Sequence, residues 1–214
     1  LSQAIKIGVP RASTLMGYLP FWGTFFTELG CAAILSEQTS AEILTQGLKH
    51  LPASVCLPVK LMAGHVVSLQ SARPDFIFLP SIMRLPGSDN EHSYACPYAM
   101  ALPFMVNVRS GPRILSPVLS MNDEDSFVEG FSVCLPDLMV SEDRVRSAYR
   151  AAMRENHAFV EKMRRKAAVL LAAGEYSHVF GVIGKPYNLF DSYLNLGLFE
   201  RLRRLGILAI PLSL

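Results

Sequence analysis

Two cysteines in this chain of 214 residues stand in similar local settings. Cys56 is followed by Leu57-Pro58-Val59-Lys60, and Cys96 by Pro97-Tyr98. Proline favours the first turn of a helix, where its missing N–H has no intrahelical acceptor to serve. Each cysteine therefore reads as sitting at, or just before, a helix start. A thiolate there is stabilised by unpaired backbone N–H groups and by the helix dipole. The same donors tune the sulfurs of an iron–sulfur cluster. The pattern points to metal or cluster ligation, beside two alternatives: a metal-free scaffold or small-anion-binding module in which the thiols are bystanders, or a redox-active Cys56–Cys96 pair. Cys31 and Cys134 read as small buried hydrophobes. No C-x-x-C occurs, which removes the usual zinc and thioredoxin-type patterns.

Other polar residues fall near these helix starts. Lys60 lies in the first turn after Cys56, where a cation opposes the dipole; it reads as a hint of an anionic partner or as a lysine reaching solvent. His65, one turn further on, reads either as a core histidine bonded to a carbonyl or as a polar group turned toward a crevice. Arg11 closes the first strand-like segment and reads as a rim residue, paired with an anion or with an acid such as Glu37. A third loop, Gly184-Lys185-Pro186-Tyr187-Asn188, has Asp191 close behind it. No P-loop or G-x-G-x-x-G is present, and no Ser-His-Asp order stands out.

The elements that must position these residues alternate between strand and helix. Residues 4–9 read as a strand, 19–29 as a helix with aromatic side chains on one face and Gly30 as its stop, and 32–35 as a second strand. Ser40 caps a helix to about Lys49, Pro58 starts another, and residues 75–79 form a third strand closed by Pro80. An apolar helical pattern covers 97–108, and 114–119 reads as a further short strand. Residues 141–174 form one long helix whose basic side chains read as a solvated face. Then come a buried strand at 178–183, a helix at 194–205 and a strand at 207–210. This order predicts an α/β fold with a Rossmann-like, doubly wound parallel sheet, in two lobes joined by the long helix. Residues 1–140 are the first lobe, carrying Cys56 and Cys96. Residues 141–214 are the long helix and the start of a second α/β lobe, and the chain reads as a segment of a longer protein.

Composition bounds the rest. Half the residues are hydrophobic and mean hydropathy is +0.29, which excludes intrinsic disorder. Twenty basic and eighteen acidic residues leave +2, no electrostatic footprint for nucleic acid or an anionic membrane. The two long uncharged stretches are interrupted by proline and polar residues, so neither reads as a membrane span. No secretory signal is visible, and the expected compartment is a reducing cytoplasm.

Several segments together resemble a known family. Ile7-Gly8-Val9-Pro10-Arg11, then Phe21-Trp22-Gly23-Thr24-Phe25-Phe26-Thr27-Glu28-Leu29-Gly30, then Cys56-Leu57-Pro58-Val59-Lys60 with Gly64-His65, are similar to a module of 2-hydroxyacyl-CoA dehydratase activator-related proteins. Cys96-Pro97 and Gly184-Lys185-Pro186-Tyr187 continue the likeness in order. The resemblance implies Rossmann-like lobes holding a [4Fe–4S] cluster, with Cys56 and Cys96 at the family's cysteine positions. It also implies one-electron delivery toward an acyl-CoA thioester, and an ATP-dependent activator region of the same or another chain as partner. Lys60 and His65 would then support the cluster, while Arg11 and Tyr187 would line the crevice. The turn departs from the family pattern, with Lys185 for the usual arginine and Asn188 for a histidine. The ligands beyond two cysteines would come from Cys134, a non-cysteine group, another chain or residues beyond Leu214.

Overall fold

The computed structural model describes residues 4–87, 93–106 and 111–212. Its strands in chain order are β1 (Lys6–Val9), β2 (Ala32–Leu35), β3 (Phe76–Phe78), β4 (Ser81–Arg84), β5 (Arg113–Leu115), β6 (Val118–Ser120), β7 (His178–Val182) and β8 (Ile207–Pro211). The helices are α1 (Leu19–Glu28), α2 (Ala41–His50), α3 (Leu57–Leu69), α4 (Pro97–Met100), α5 (Leu102–Met105), α6 (Glu124–Phe131), α7 (Leu135–Leu138), α8 (Glu142–Ala173), α9 (Pro186–Leu189) and α10 (Leu198–Arg204). The main sheet is parallel, in the order β2-β1-β3-β5, and helices flank it. The fold is the Rossmann-like α/β arrangement that the alternation of elements predicts. Strand order reverses between β1 and β3, the place where such sheets open a crevice at their carboxyl ends.

Two prolines shape that edge. The residue 75–79 strand does not end at Pro80; it bends and resumes as β4. The 114–119 segment likewise splits into β5 and β6 at Pro117, and β4 pairs in parallel with β6. The Leu79 N–H donates to the Leu115 carbonyl at 2.8 Å and the Ser81 N–H to the Pro117 carbonyl at 2.9 Å, so the ladder continues across the break. A proline removes one donor and bends the strand, without ending the pairing of its neighbours.

The core is built on α1. Phe21, Trp22, Phe25 and Phe26 are wholly buried. Trp22 meets Phe78 of β3 at 4.7 Å, Phe25 meets Phe131 of α6 at 5.0 Å, and Phe21 meets Tyr149 of α8 at 5.8 Å between ring centres. The helix ends where the sequence says it must. Gly30 takes φ +80°, its N–H bonds the Thr27 carbonyl, and the Cys31 N–H bonds the Phe26 carbonyl, a paired C-terminal lock that needs a left-handed residue.

α8 runs for 32 residues, about 48 Å. Ser141 caps its first turn and Gly174, at φ +65°, ends it. Its first half packs on the core through Val145, Ala148, Tyr149 and Ala152. Part of its basic face is paired: Arg150 grips Glu124 with two bonds of 2.7 and 2.8 Å, and Arg146 reaches Glu124 and Asp125.

The remaining departures from the sequence reading have local causes. The apolar 97–108 stretch forms two short helices, because Ala101, at φ −90° and ψ 1°, and Pro103 interrupt the turn; its last two residues, and residues 88–92, lie outside the described residues. The 194–205 helix begins only at Leu198, since Leu196 and Gly197 are both left-handed. β7 forms as expected but is not buried: it pairs with β8, and Val179 and Phe180 are 52% and 46% exposed. Apolar composition set its strand conformation without supplying a layer to cover it.

α2 and α3 pack at backbone distance. A Cβ on Gly64 would lie 2.0 Å from the Ile43 carbonyl oxygen, and one on Gly47 1.9 Å from that of Lys60. Neither neighbour is a movable side chain. Gly64→Ala should therefore destabilise the fold by about 2–3 kcal/mol through forced helix separation, read as a fall in the denaturant midpoint. Gly23→Ala, with nothing within 4 Å of the new methyl, is the control that should leave the midpoint close to wild type.

Candidate functional site

The three loops singled out in the sequence meet. Cys56, Cys96 and Lys185-Pro186-Tyr187 line one cavity of about 290 Å³. Tyr18, Tyr94 and Tyr98 add aromatic walls, and Ser13 and Thr14 enter from the segment after β1. Both cysteines are exposed, and neither sulfur makes a capping hydrogen bond. Ser13 holds φ +48°, a left-handed conformation uncommon outside glycine. The Thr14 hydroxyl is buried with no hydrogen-bond partner.

Each cysteine is fixed by its own loop. Cys56 is the residue before α3, a thirteen-residue helix with proline in its first turn. The Lys60 ammonium donates to the Ala53 carbonyl at 2.8 Å, tying the start of α3 to the turn that precedes Cys56. Cys96 precedes α4, a single turn of four residues. The Ala95 N–H donates to the Met83 carbonyl at 2.8 Å, and the Ser81 hydroxyl to the Met100 carbonyl at 2.6 Å. Both bonds strap the Cys96 turn onto β4. The helix-dipole argument is thus stronger for Cys56 than for Cys96, since one turn sums few peptide dipoles.

His65 is wholly buried and belongs to a polar chain rather than to the cavity wall. Thr39 Oγ1 donates to the Asp191 carboxylate, so its oxygen must accept from His65 Nε2, at 3.0 Å. His65 Nδ1 then accepts from the Ser36 hydroxyl at 2.8 Å, and Ser36 accepts from the Arg11 N–H at 2.8 Å. Every proton in the chain has one place to go, and the imidazole is neutral with its proton on Nε2. Burial lowers the His65 pKa to about 4, with Asp191 pulling it up and Arg11 pushing it down. Asp191, 5% exposed, also accepts from the Tyr193 and Leu194 N–H groups at 2.9 and 3.1 Å.

Of the residues singled out in the sequence, the structure therefore brings Cys56, Cys96 and Tyr187 together. Lys60 and His65 are not among the cavity's lining residues. Arg11 lines a smaller neighbouring hollow of about 100 Å³ with Thr39 and Asp191. It forms no ion pair with Glu37 or any other acid among the described residues. Ser36 and Thr39 carry no signal in the sequence. They lie in a polar stretch, Ser36-Glu37-Gln38-Thr39-Ser40, where only the helix cap is legible.

The donor set fits an iron–sulfur cluster in kind but not in number. Two exposed thiols face one cavity, whereas a cluster takes three or four ligands. No group of three His, Cys, Asp or Glu residues able to hold a metal exists among the described residues. Cys134 does not supply the missing donor. It is 2% exposed in the core, and burial, with a smaller push from Asp137, raises its thiol pKa to about 12. Cys31 is buried too, and its thiol is likewise pushed up.

The histidine gives a pH prediction. Its folded pKa lies below that of a free histidine, so the unfolded chain binds the extra proton first as pH falls. Its contribution is complete above pH 6.5 and is lost between 6.5 and about 4. That loss is about 3 kcal/mol. Urea melts at stepped pH should show it in the wild type, and His65→Gln should lack that slope.

No helix among the described residues is long and apolar enough to cross a membrane. No curated protein and no solved structure matches the chain. One family model does, over residues 6–214, nearly the whole sequence and all three loops of the cavity. The chain belongs to the family described as the CoA enzyme activase uncharacterised domain.

Proposed function

We propose that this chain is the cysteine-bearing module of a CoA-linked activase system, and that Cys56 and Cys96 hold two corners of a [4Fe–4S] cluster at the cavity. The observation that carries this reading is the shared cavity. Two thiols far apart in sequence, each one residue or two before a proline at a helix start, face the same space with their sulfurs uncommitted to capping bonds. Membership of an activase-related family supports it, as does the buried, unpartnered hydroxyl of Thr14, which lines the same cavity. When bound, such a cluster supplies one-electron transfer, here toward acyl-CoA chemistry.

This chain's own residues have narrower tasks. Cys56 and Cys96 ligate. Lys60 and Ser81 hold the two cysteine loops in place. Tyr18, Tyr94, Tyr98 and Tyr187 wall the cavity with aromatic surface and limit water. The remaining ligands come from a partner, in this reading the activator region, or from a small non-protein group. A metal-free module that docks the activator and leaves its thiols idle is the second reading, favoured by the two-thiol count.

Anaerobic purification of the full-length protein separates the two. The proposal expects iron and acid-labile sulfide with broad visible absorption, lost in Cys56→Ala and in Cys96→Ala but retained in Cys31→Ala. Iron-free, colourless protein from that preparation would establish the metal-free reading.

A further inference from the structure

The cavity has a wall it does not build from the first 140 residues: Lys185, Pro186 and Tyr187 come from the C-terminal unit. That wall packs on the segment after β1, residues 13–18, with Leu189 buried. Pro186 packs against Gly17, where an added Cβ would come within 3.0 Å of the proline ring. The Asn195 amide donates to the Leu189 carbonyl within the unit itself. Across to the main body, a single side-chain hydrogen bond is found among the described residues: the Thr39 hydroxyl to Asp191, four residues past Tyr187. Most of the unit is otherwise open, with Ile183, Leu196 and Leu205 each more than 70% exposed.

The geometry points to Thr39 and Asp191 as a latch: they are positioning residues that hold the α9 wall over the cysteine cavity, with His65 and Ser36 fixing the direction of the Thr39 hydroxyl. Thr39 has one hydroxyl proton and gives it to Asp191, so in its contact with His65 Nε2 the imidazole N–H is the donor. With that proton on Nε2, Nδ1 of the neutral ring is the acceptor and the Ser36 hydroxyl its donor. Ser36 is in turn oriented by the Arg11 N–H at the carboxyl end of β1. The sheet edge therefore sets the polarity of a hydrogen-bond chain that ends on the segment carrying the wall. Removing the Thr39 hydroxyl strands the His65 N–H and one Asp191 oxygen, both buried, and leaves Asp191 bonded only inside its own turn. This inference stands whether or not the thiols bind a cluster.

The test is hydrogen exchange of the full-length protein, followed by mass spectrometry. In Thr39→Val, the amides of Leu189, Phe190, Tyr193 and Leu194 should exchange roughly tenfold faster or more, because opening of the wall no longer breaks a buried bond. Thr39→Ser keeps the hydroxyl and should restore wild-type protection within about twofold. Asp191→Asn keeps the turn that caps Tyr193 and Leu194, and should loosen the segment less than Thr39→Val. The amides of α1 should be unchanged in all three variants, with Trp22 fluorescence as a second control for the core. Unchanged protection around α9 in Thr39→Val would overturn the latch. So would equal loosening of α1, which would make Thr39 a determinant of the whole fold rather than of the wall. Equal loosening in Thr39→Ser would also overturn it, since the hydroxyl would then not be the operative group.

Discussion

Everything at the carboxyl edge of this sheet depends on burying four aromatic side chains of one helix. α1 is shared ground: its rings touch β3 on one side and α6 and α8 on the other. Such contacts add interaction beyond simple area burial, because edge-to-face and offset arrangements align ring quadrupoles. The α1 seat fixes α8 against the main body, and α8 leads into the unit that contributes the third loop of the cavity. The glycine lock after Glu28 matters for the same reason, since it turns the chain straight into β2.

On that apolar base the site is assembled by polar bonds of a different kind. Lys60, Ser81 and the Ala95 N–H each bind a backbone carbonyl, and together they place two cysteine loops; of the three residues only Ala95 lines the cavity. Buried donors and acceptors of this sort contribute modestly when paired and cost far more when orphaned, so they act mainly as constraints on geometry. The His65 chain is the most complete case. Five groups in sequence each have one arrangement of protons that satisfies all of them, and that arrangement requires a neutral imidazole.

Lys60 shows how local electrostatics can flag a residue without giving its contacts. A lysine in the first turn of α3 does oppose the dipole. In the structure its ammonium binds the Ala53 carbonyl and it does not line the cavity. Arg11 is the converse: it sits at the crevice edge as expected, yet in the neighbouring hollow. His65 was legible only as a choice between core and crevice, and it took the first, bonded to hydroxyls rather than to a carbonyl.

The sequence by itself determined the local structure and the order of elements. Ser40, Ser141, Gly30, Gly174 and the helix-starting prolines act within a turn of where they stand, so their effects can be read without any partner. It placed Cys56 and Cys96 before helix-starting prolines, but Cys134 also precedes one, Pro136, and only its burial sets it apart. Only the tertiary structure decided that both face one cavity, that Pro80 and Pro117 bend paired strands instead of ending them, and that β7 lies open. Those outcomes depend on what a distant segment brings alongside. Thr39 is the clearest instance: nothing near it in the chain distinguishes its hydroxyl, and its partner lies 152 residues away.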